Sequence, residues 1–227
     1  METPAITELF PLFNTANPET LEWMLSVVDE ETYAQDEEVV KEDDWGKAVY
    51  FIVSGWVKVR SRYSYQETTL EILSRGDFFG EMEVLDESLK YVDVIALSDV
   101  ELLSISAQRF LQMLFKDPQL HHRMLQLSVR RVRRLYRRFQ LHQQSPKIKL
   151  TKTLIKLAEN YGRLTEKGSE ILQIPAQDLA DIADVSLEDC QQILSQLQNQ
   201  NCLDLEPSRQ ILSLTNLKQL HHLSKQL

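Results

Sequence analysis

Six arginines crowd one short stretch of the chain: Arg130, Arg131, Arg133, Arg134, Arg137 and Arg138. A guanidinium is a planar fork of N–H donors with a permanent charge, so it chelates phosphates and stacks on flat rings. Lysine is absent from this run, and Arg130 to Arg134, Arg133 to Arg137 and Arg134 to Arg138 are each four residues apart, which places each pair on one helical face. Two readings follow. The run is a solvated face that keeps a helix soluble beside an acidic domain, or it is an anion site. Arg60 and Arg62 add to the second reading, because they alternate with Ser61 and Tyr63 in a strand-like segment and so point to one side of it. Asp93 and Glu81 are the carboxylates available to accompany them.

Other chemistries find no support. There is no Ser/His/Asp ordering, no cluster with metal-ligand spacing and no phosphate-cradling glycine loop, so an enzyme is not expected, nor a metal or a cofactor. Cys190 and Cys202 lack Cys-x-x-Cys spacing and read as packing thiols. No run approaches the roughly 18 apolar residues of a membrane span, and the start of the chain lacks the basic-then-apolar order of a signal peptide. A cytoplasmic protein that does not contact membrane is expected. The net charge of −9 conceals an asymmetry: residues 1–119 carry −15, residues 120–156 carry +11 and residues 157–227 carry −5. The basic middle therefore has an electrostatic task of its own.

Those residues must be positioned by elements that the periodicity predicts. Between Glu31 and Ser106, short β-branched and aromatic runs separated by turn residues read as strands: Ala48–Val53 and Trp56–Val59 as a hairpin about Ser54-Gly55, then Thr68–Leu73, Val92–Leu97 and Val100–Ile105. Ala5–Val28 is helical in period, interrupted by Pro11 and Pro18. From Ala107 the period is that of a long helix reaching about Gln143, with a bend or join at Pro118. Its apolar stripe, Leu120, Met124, Leu127, Val132, Leu135 and Phe139, suits a partner helix and predicts a homodimer. Next come a helix from Ile148 to Tyr161 closed by Gly162, a short helix Ala176–Ala183, a turn at Asp184-Val185, and a helix capped by Ser186 that runs to Asn199. Leu203–Leu205 and Gln210–Leu214 make a hairpin wing. The expected class is α+β: an effector-binding β-roll in residues 1–119, a long connecting and dimerisation helix in 120–144, and a winged helix-turn-helix in 145–227.

Val49-Tyr50-Phe51-Ile52-Val53-Ser54-Gly55-Trp56-Val57-Lys58-Val59, then Gly76-Asp77-Phe78-Phe79-Gly80-Glu81-Met82, then a long helix and a helix-turn-helix resemble the CRP/FNR regulators over nearly the whole chain. The segment Gly76–Glu81 is similar to the start of the phosphate-binding cassette of cyclic-nucleotide domains. The resemblance implies that Glu81 bonds a ribose hydroxyl and that an Arg-Ser/Thr-Ala triplet holds the cyclic phosphate. Here that triplet is Lys90-Tyr91-Val92, so one charge remains, the guanidinium fork is lost, and bulk replaces a small pair. Cyclic AMP in the usual pocket is therefore the less favoured ligand. Arg-x-x-x-Arg spacing recurs in receptors for cyclic di-GMP, whose two phosphates and guanine faces suit paired arginines with a carboxylate.

The same resemblance implies DNA recognition, usually with Arg or Lys near the start of the second helix of the motif. Between Pro175 and Ser208 this chain has neither, and Asp178, Asp181, Asp184, Glu188, Asp189, Asp204 and Glu206 are acidic. Ser186, Gln191, Gln192 and Arg209 are the remaining candidates for DNA contact, and weak DNA binding is expected. The expected function is a second-messenger sensor that regulates transcription, responding to cyclic di-GMP and acting partly through a protein partner. The alternative is a conventional DNA-binding regulator responding to cyclic AMP, another effector or none.

Overall fold

Apolar and β-branched residues alternate through the first half of the chain, and in the computed structural model, which describes residues 3–40, 46–63, 66–86, 92–166 and 168–224, they form strands between helices. Helices α1 (Thr3–Leu9) and α2 (Pro18–Leu25) flank a 3-10 turn at Phe13–Thr15, so the prolines divide the N-terminal helical segment as expected. Strands β1 (Asp29–Tyr33), β2 (Glu38–Val40), β3 (Ala48–Ser54), β4 (Trp56–Tyr63), β5 (Gln66–Ser74) and β6 (Phe78–Phe79) follow. Helix α3 (Glu81–Leu85), strands β7 (Val92–Ala96) and β8 (Val100–Ser106), and helices α4 (Ala107–Lys116) and α5 (Pro118–Leu141) come next. The remainder holds α6 (Pro146–Tyr161), β9 (Arg163–Thr165), β10 (Gly168–Leu172), α7 (Ala176–Ala183), α8 (Leu187–Asn199), β11 (Asp204–Glu206), β12 (Ile211–Leu214) and α9 (Leu217–Leu223). Two compact units result, Met1–Glu67 with Glu71–Tyr136 and Thr68–Leu70 with Arg137–Leu227.

The first unit is a roll of two four-stranded sheets, ordered β1-β8-β3-β6 and β2-β7-β4-β5. One expectation is corrected here. β3 and β4 are consecutive but do not pair, since β3 lies between β8 and β6 while β4 pairs with β7. Gly55 is not the tip of a hairpin but the point where the chain crosses from one sheet to the other. Its φ is +89°, and a Cβ there would come within 2.2 Å of the Asp99 carbonyl, so only glycine fits.

Strand β8 explains the layering, because its alternate side chains enter different cores. Leu103 and Ile105 join Phe10, Phe13, Phe51, Phe110 and Met113 beneath the helices, while Val100 and Leu102 join Ile52, Val57, Leu73 and Val94 in the second core. The long helical segment breaks at one residue. Asp117 separates α4 from α5, and its carboxylate accepts from the backbone N–H groups of Gln119 at 3.0 Å, Leu120 at 3.1 Å and Asn17 at 2.7 Å. Burial opposes ionisation of Asp117, but these donors outweigh it and hold the carboxyl below its ordinary range. Pro118 at the first position of α5 has no N–H to lose.

The expected apolar stripe of α5 divides between two faces. Leu120 (0% exposed) and Met124 (4%) belong to the first unit's own core and Leu127 packs against it, so these three are not free to meet a partner helix. Val132, Leu135 and Phe139 are exposed, along with Leu125, Val129 and Tyr136. The reason is geometric: residues 120, 124 and 127 lie on the side of the helix that the roll covers, and 125, 129, 132, 136 and 139 lie on the other in a four-three repeat.

In the second unit the helix-turn-helix has the predicted bounds. Asp184 adopts a left-handed conformation at the turn, and the Ser186 hydroxyl accepts from the Asp189 N–H at 3.0 Å to cap α8. Gly162 works differently from expectation. Its backbone is extended, and its lack of a side chain admits Ser169 Oγ and the Ala158 carbonyl, 2.0 and 2.3 Å from where a Cβ would stand. The wing is also larger than a hairpin, since β11 and β12 continue through β10 to β9 in a four-stranded antiparallel sheet.

Candidate functional site

Within the first unit, a cleft of about 230 Å³ opens between the turn after β5 and the middle of α5. Gly76, Asp77, Phe78 and Glu81 line one side; Ser128, Arg130, Arg131 and Arg134 line the other. The turn is held by backbone bonds, Gly76 N–H to the Ile52 carbonyl at 3.0 Å and Ile52 N–H to the Asp77 carbonyl at 2.9 Å. Glu81 opens α3, which places its side chain beneath α5, and only 3% of the residue is exposed.

Burial of this depth pushes the Glu81 carboxyl above its ordinary pKa, and the Arg131 guanidinium opposes that push. Arg131 donates to Glu81 Oε1 and, at 3.3 Å, to the Phe78 carbonyl, with the Phe78 ring 6.0 Å from its guanidinium carbon. Glu71 stands 3.8 Å from it, a carboxylate that is also 3.7 Å from Arg134. Two buried atoms of the cleft have no hydrogen-bond partner among the described residues: Glu81 Oε2 and Arg134 Nε. The site thus presents one hydrogen-bond acceptor and one charged donor, unmatched, side by side with an aromatic ring.

Of the other residues expected at a ligand, Arg60, Arg62 and Asp93 are placed together but not in this cleft. Arg60 and Asp93 are cross-strand partners on β4 and β7, and the guanidinium is bidentate on the carboxylate at 2.9 Å for both bonds. Arg62 also reaches Asp93 at 2.9 Å, and Arg60 reaches Glu67 at 2.6 Å. Their charge is therefore met within their own sheet. Lys90 lies outside the described residues, as does Tyr91. On α5, Arg133 and Arg137 are exposed, and Arg138 donates to the Asp181 carbonyl at 2.8 Å in the second unit. Helical period alone put all six arginines on one face; which of them turn inward depended on where the roll sits. The unmatched atoms of the cleft had no sequence signal beyond the pairing of Glu81 with an arginine one helix away.

In the second unit, the acidic residues have internal tasks. Lys149 donates to the Asp184 carbonyl at 2.7 Å and to its carboxylate at 2.8 Å, and together with His142 it holds that carboxyl below its ordinary range. Asp189 accepts from the Ser186 hydroxyl at 2.8 Å, and Glu188 and Asp189 complement the positive end of α8. Gln191 and Gln192 are exposed on α8 beside buried Cys190 and Ile193. Arg209 pairs with Glu206 at 3.2 Å in the turn between β11 and β12.

Arg131→Ala should destabilise the protein by about 3 kcal/mol near neutral pH, because it strands a buried carboxylate. A carboxyl whose folded pKa lies above its unfolded value makes ionisation costly above the folded pKa and relieves that cost below it. The deficit should therefore shrink in denaturant titrations as pH falls from about 8 to about 5. A deficit that stays constant over that range would contradict the assignment.

Comparison with known proteins agrees with this architecture. Residues 30–117 match the family described as cyclic nucleotide-binding domain, and residues 148–223 match the Crp-like helix-turn-helix domain. The cyclic AMP receptor protein of Thermus thermophilus is 29% identical over 199 residues, covering 87% of this chain and 89% of the relative. FixK2 of Bradyrhizobium japonicum superposes with a TM-score of 0.74 at 21% identity, over 88% of this chain and 99% of its own. The c-di-GMP responsive global regulator CLP of Xanthomonas campestris superposes with a TM-score of 0.69 at 22% identity, over 87% and 99% of the two chains. At those identities, the two structures speak for the fold alone. With a roll, a long helix and a winged helix-turn-helix in that order, and each end matched by its own family, the chain belongs to the CRP/FNR family.

Proposed function

We propose that the chain is a transcription regulator that responds to a cyclic nucleotide bound in the cleft between the Gly76–Glu81 turn and α5. The observation that carries this reading is the buried Glu81, paired with Arg131 yet retaining one unmatched oxygen, in a cleft that also holds Arg134. A sugar hydroxyl supplies the donor that Glu81 lacks, and a phosphate oxygen supplies the acceptor that Arg134 Nε lacks. Phe78 offers an apolar surface beside them. The likeness to a cyclic AMP receptor protein supports the same ligand class.

Within that class, the favoured effector is cyclic di-GMP. One nucleotide unit fills the cleft, and the other lies along the exposed Arg130 and Arg133. Arg60 and Arg62 have no part in this arrangement, being engaged with Asp93. The second reading is cyclic AMP, favoured by the size of the cleft: about 230 Å³ is below the range of roughly 300 to 1,000 Å³ that holds a drug-sized molecule. Titration calorimetry of the whole chain should show tighter binding of cyclic di-GMP than of cyclic AMP. The reverse order would give the site to the mononucleotide, and no heat from either would remove the proposal.

The exposed positions Leu125, Val129, Val132, Tyr136 and Phe139 make α5 the seam of a homodimer. Val132→Glu, which buries a charge in that seam, should convert a sedimenting dimer into a monomer. A monomeric wild type would reject the seam.

DNA is contacted weakly through α8, and regulation runs partly through a protein partner. The support is that the exposed face of α8 offers Glu188, Gln191 and Gln192 without a cation. At about 150 mM salt, the wild type should bind a promoter fragment more weakly than the roughly 10⁻⁸ M of specific regulators, and Glu188→Lys should tighten it. A nanomolar wild-type complex with one promoter would overturn this.

A further inference from the structure

We propose that Arg134 is the residue that selects a charged effector over a neutral one, an assignment that rests on the nucleotide-binding reading of the cleft. Arg131 is the obvious candidate for that task, but its guanidinium is engaged: one nitrogen serves Glu81, and another lies 3.3 Å from the Phe78 carbonyl and 3.8 Å from Glu71. It acts as the internal counter-ion of a buried carboxylate. Arg134 follows one turn later on α5, lines the same cleft, and has Nε buried without a hydrogen-bond partner among the described residues. Its terminal nitrogen is 3.7 Å from Glu71, within ion-pair reach but beyond a hydrogen bond.

A buried guanidinium N–H with no acceptor is unfavourable, and an incoming anionic oxygen relieves it. Glu81 Oε2 is the complementary vacancy, an acceptor waiting for a donor. A neutral nucleoside brings hydroxyls and so answers Glu81 alone. A nucleotide brings hydroxyl and anion together and answers both. Glu71 competes with that anion for Arg134, since its carboxylate stands 3.7 Å from the guanidinium. Arg134 and Glu71 thus form an opposed pair that sets how strongly the cleft prefers charge.

The test is calorimetry on the full chain, wild type and variants, with cyclic di-GMP, cyclic AMP and adenosine. Arg134→Gln should weaken the preferred cyclic nucleotide by about tenfold or more, while adenosine, which has no charge for Arg134 to meet, should change by less than about twofold whether or not its binding is strong. Arg134→Lys should recover only part of the loss, because an ammonium lacks the Nε donor. Glu71→Gln should tighten the nucleotide, a gain that loss of structure would not produce. Should Arg134→Gln bind the nucleotide as wild type does, or lose adenosine equally, the assignment fails and the proposed function stands. If wild type binds none of the three ligands, both fail.

Discussion

A carboxylate as deeply enclosed as Glu81 needs a cation, and in this chain the cation comes from a helix that begins only after the roll is complete. Arg131 supplies it, and the pair joins α5 to the turn after β5. Several contacts of the first unit serve that pair. The turn must be rigid, hence the backbone bonds between Gly76, Asp77 and Ile52. The start of α5 must also be fixed, or Arg131 would not arrive in register. Leu120 and Met124 in the core, together with the Asp117 cap, accomplish this. Each contact is ordinary; their joint effect is to hold two opposite charges in a place where either alone would be costly.

The sequence revealed local structure better than it revealed which surfaces meet. Ser186 and the residues around it form a cap and two short helices whose bonds are confined to neighbours, so the helix-turn-helix was legible to the residue. Ser54-Gly55 was legible as a turn but not as a crossing between sheets, because its conformation is local and strand partnership is not. The short strands β9 and β10 were missed because so few residues carry little periodicity. On α5 the 3.6-residue period was plain, yet two apolar faces exist there: one at 120, 124 and 127 and another at 125, 129, 132, 136 and 139. Period alone merged them. The candidate site was half legible: Glu81 and the arginine run were evident, whereas the partition of Arg131 and Arg134 inward and Arg133 and Arg137 outward required the roll.

Charge in the second unit carries a related lesson. Read along the chain, the acids between Pro175 and Ser208 look like a field that repels phosphate. Read in space, Asp184 is compensated by Lys149, Asp189 belongs to a cap, and Glu206 meets Arg209. At the start of α8, Glu188 and Asp189 keep their charge against the positive end of the helix, with two glutamines beside them.

The single residue between α4 and α5 has a mechanical implication. Asp117 grips the first turn of α5 and, through Asn17, the start of α2, so one end of the long helix is pinned. Arg131 lies about 21 Å farther along at 1.5 Å per residue. The register set at Asp117 is therefore what delivers a guanidinium, about four turns later, to a carboxylate on another element.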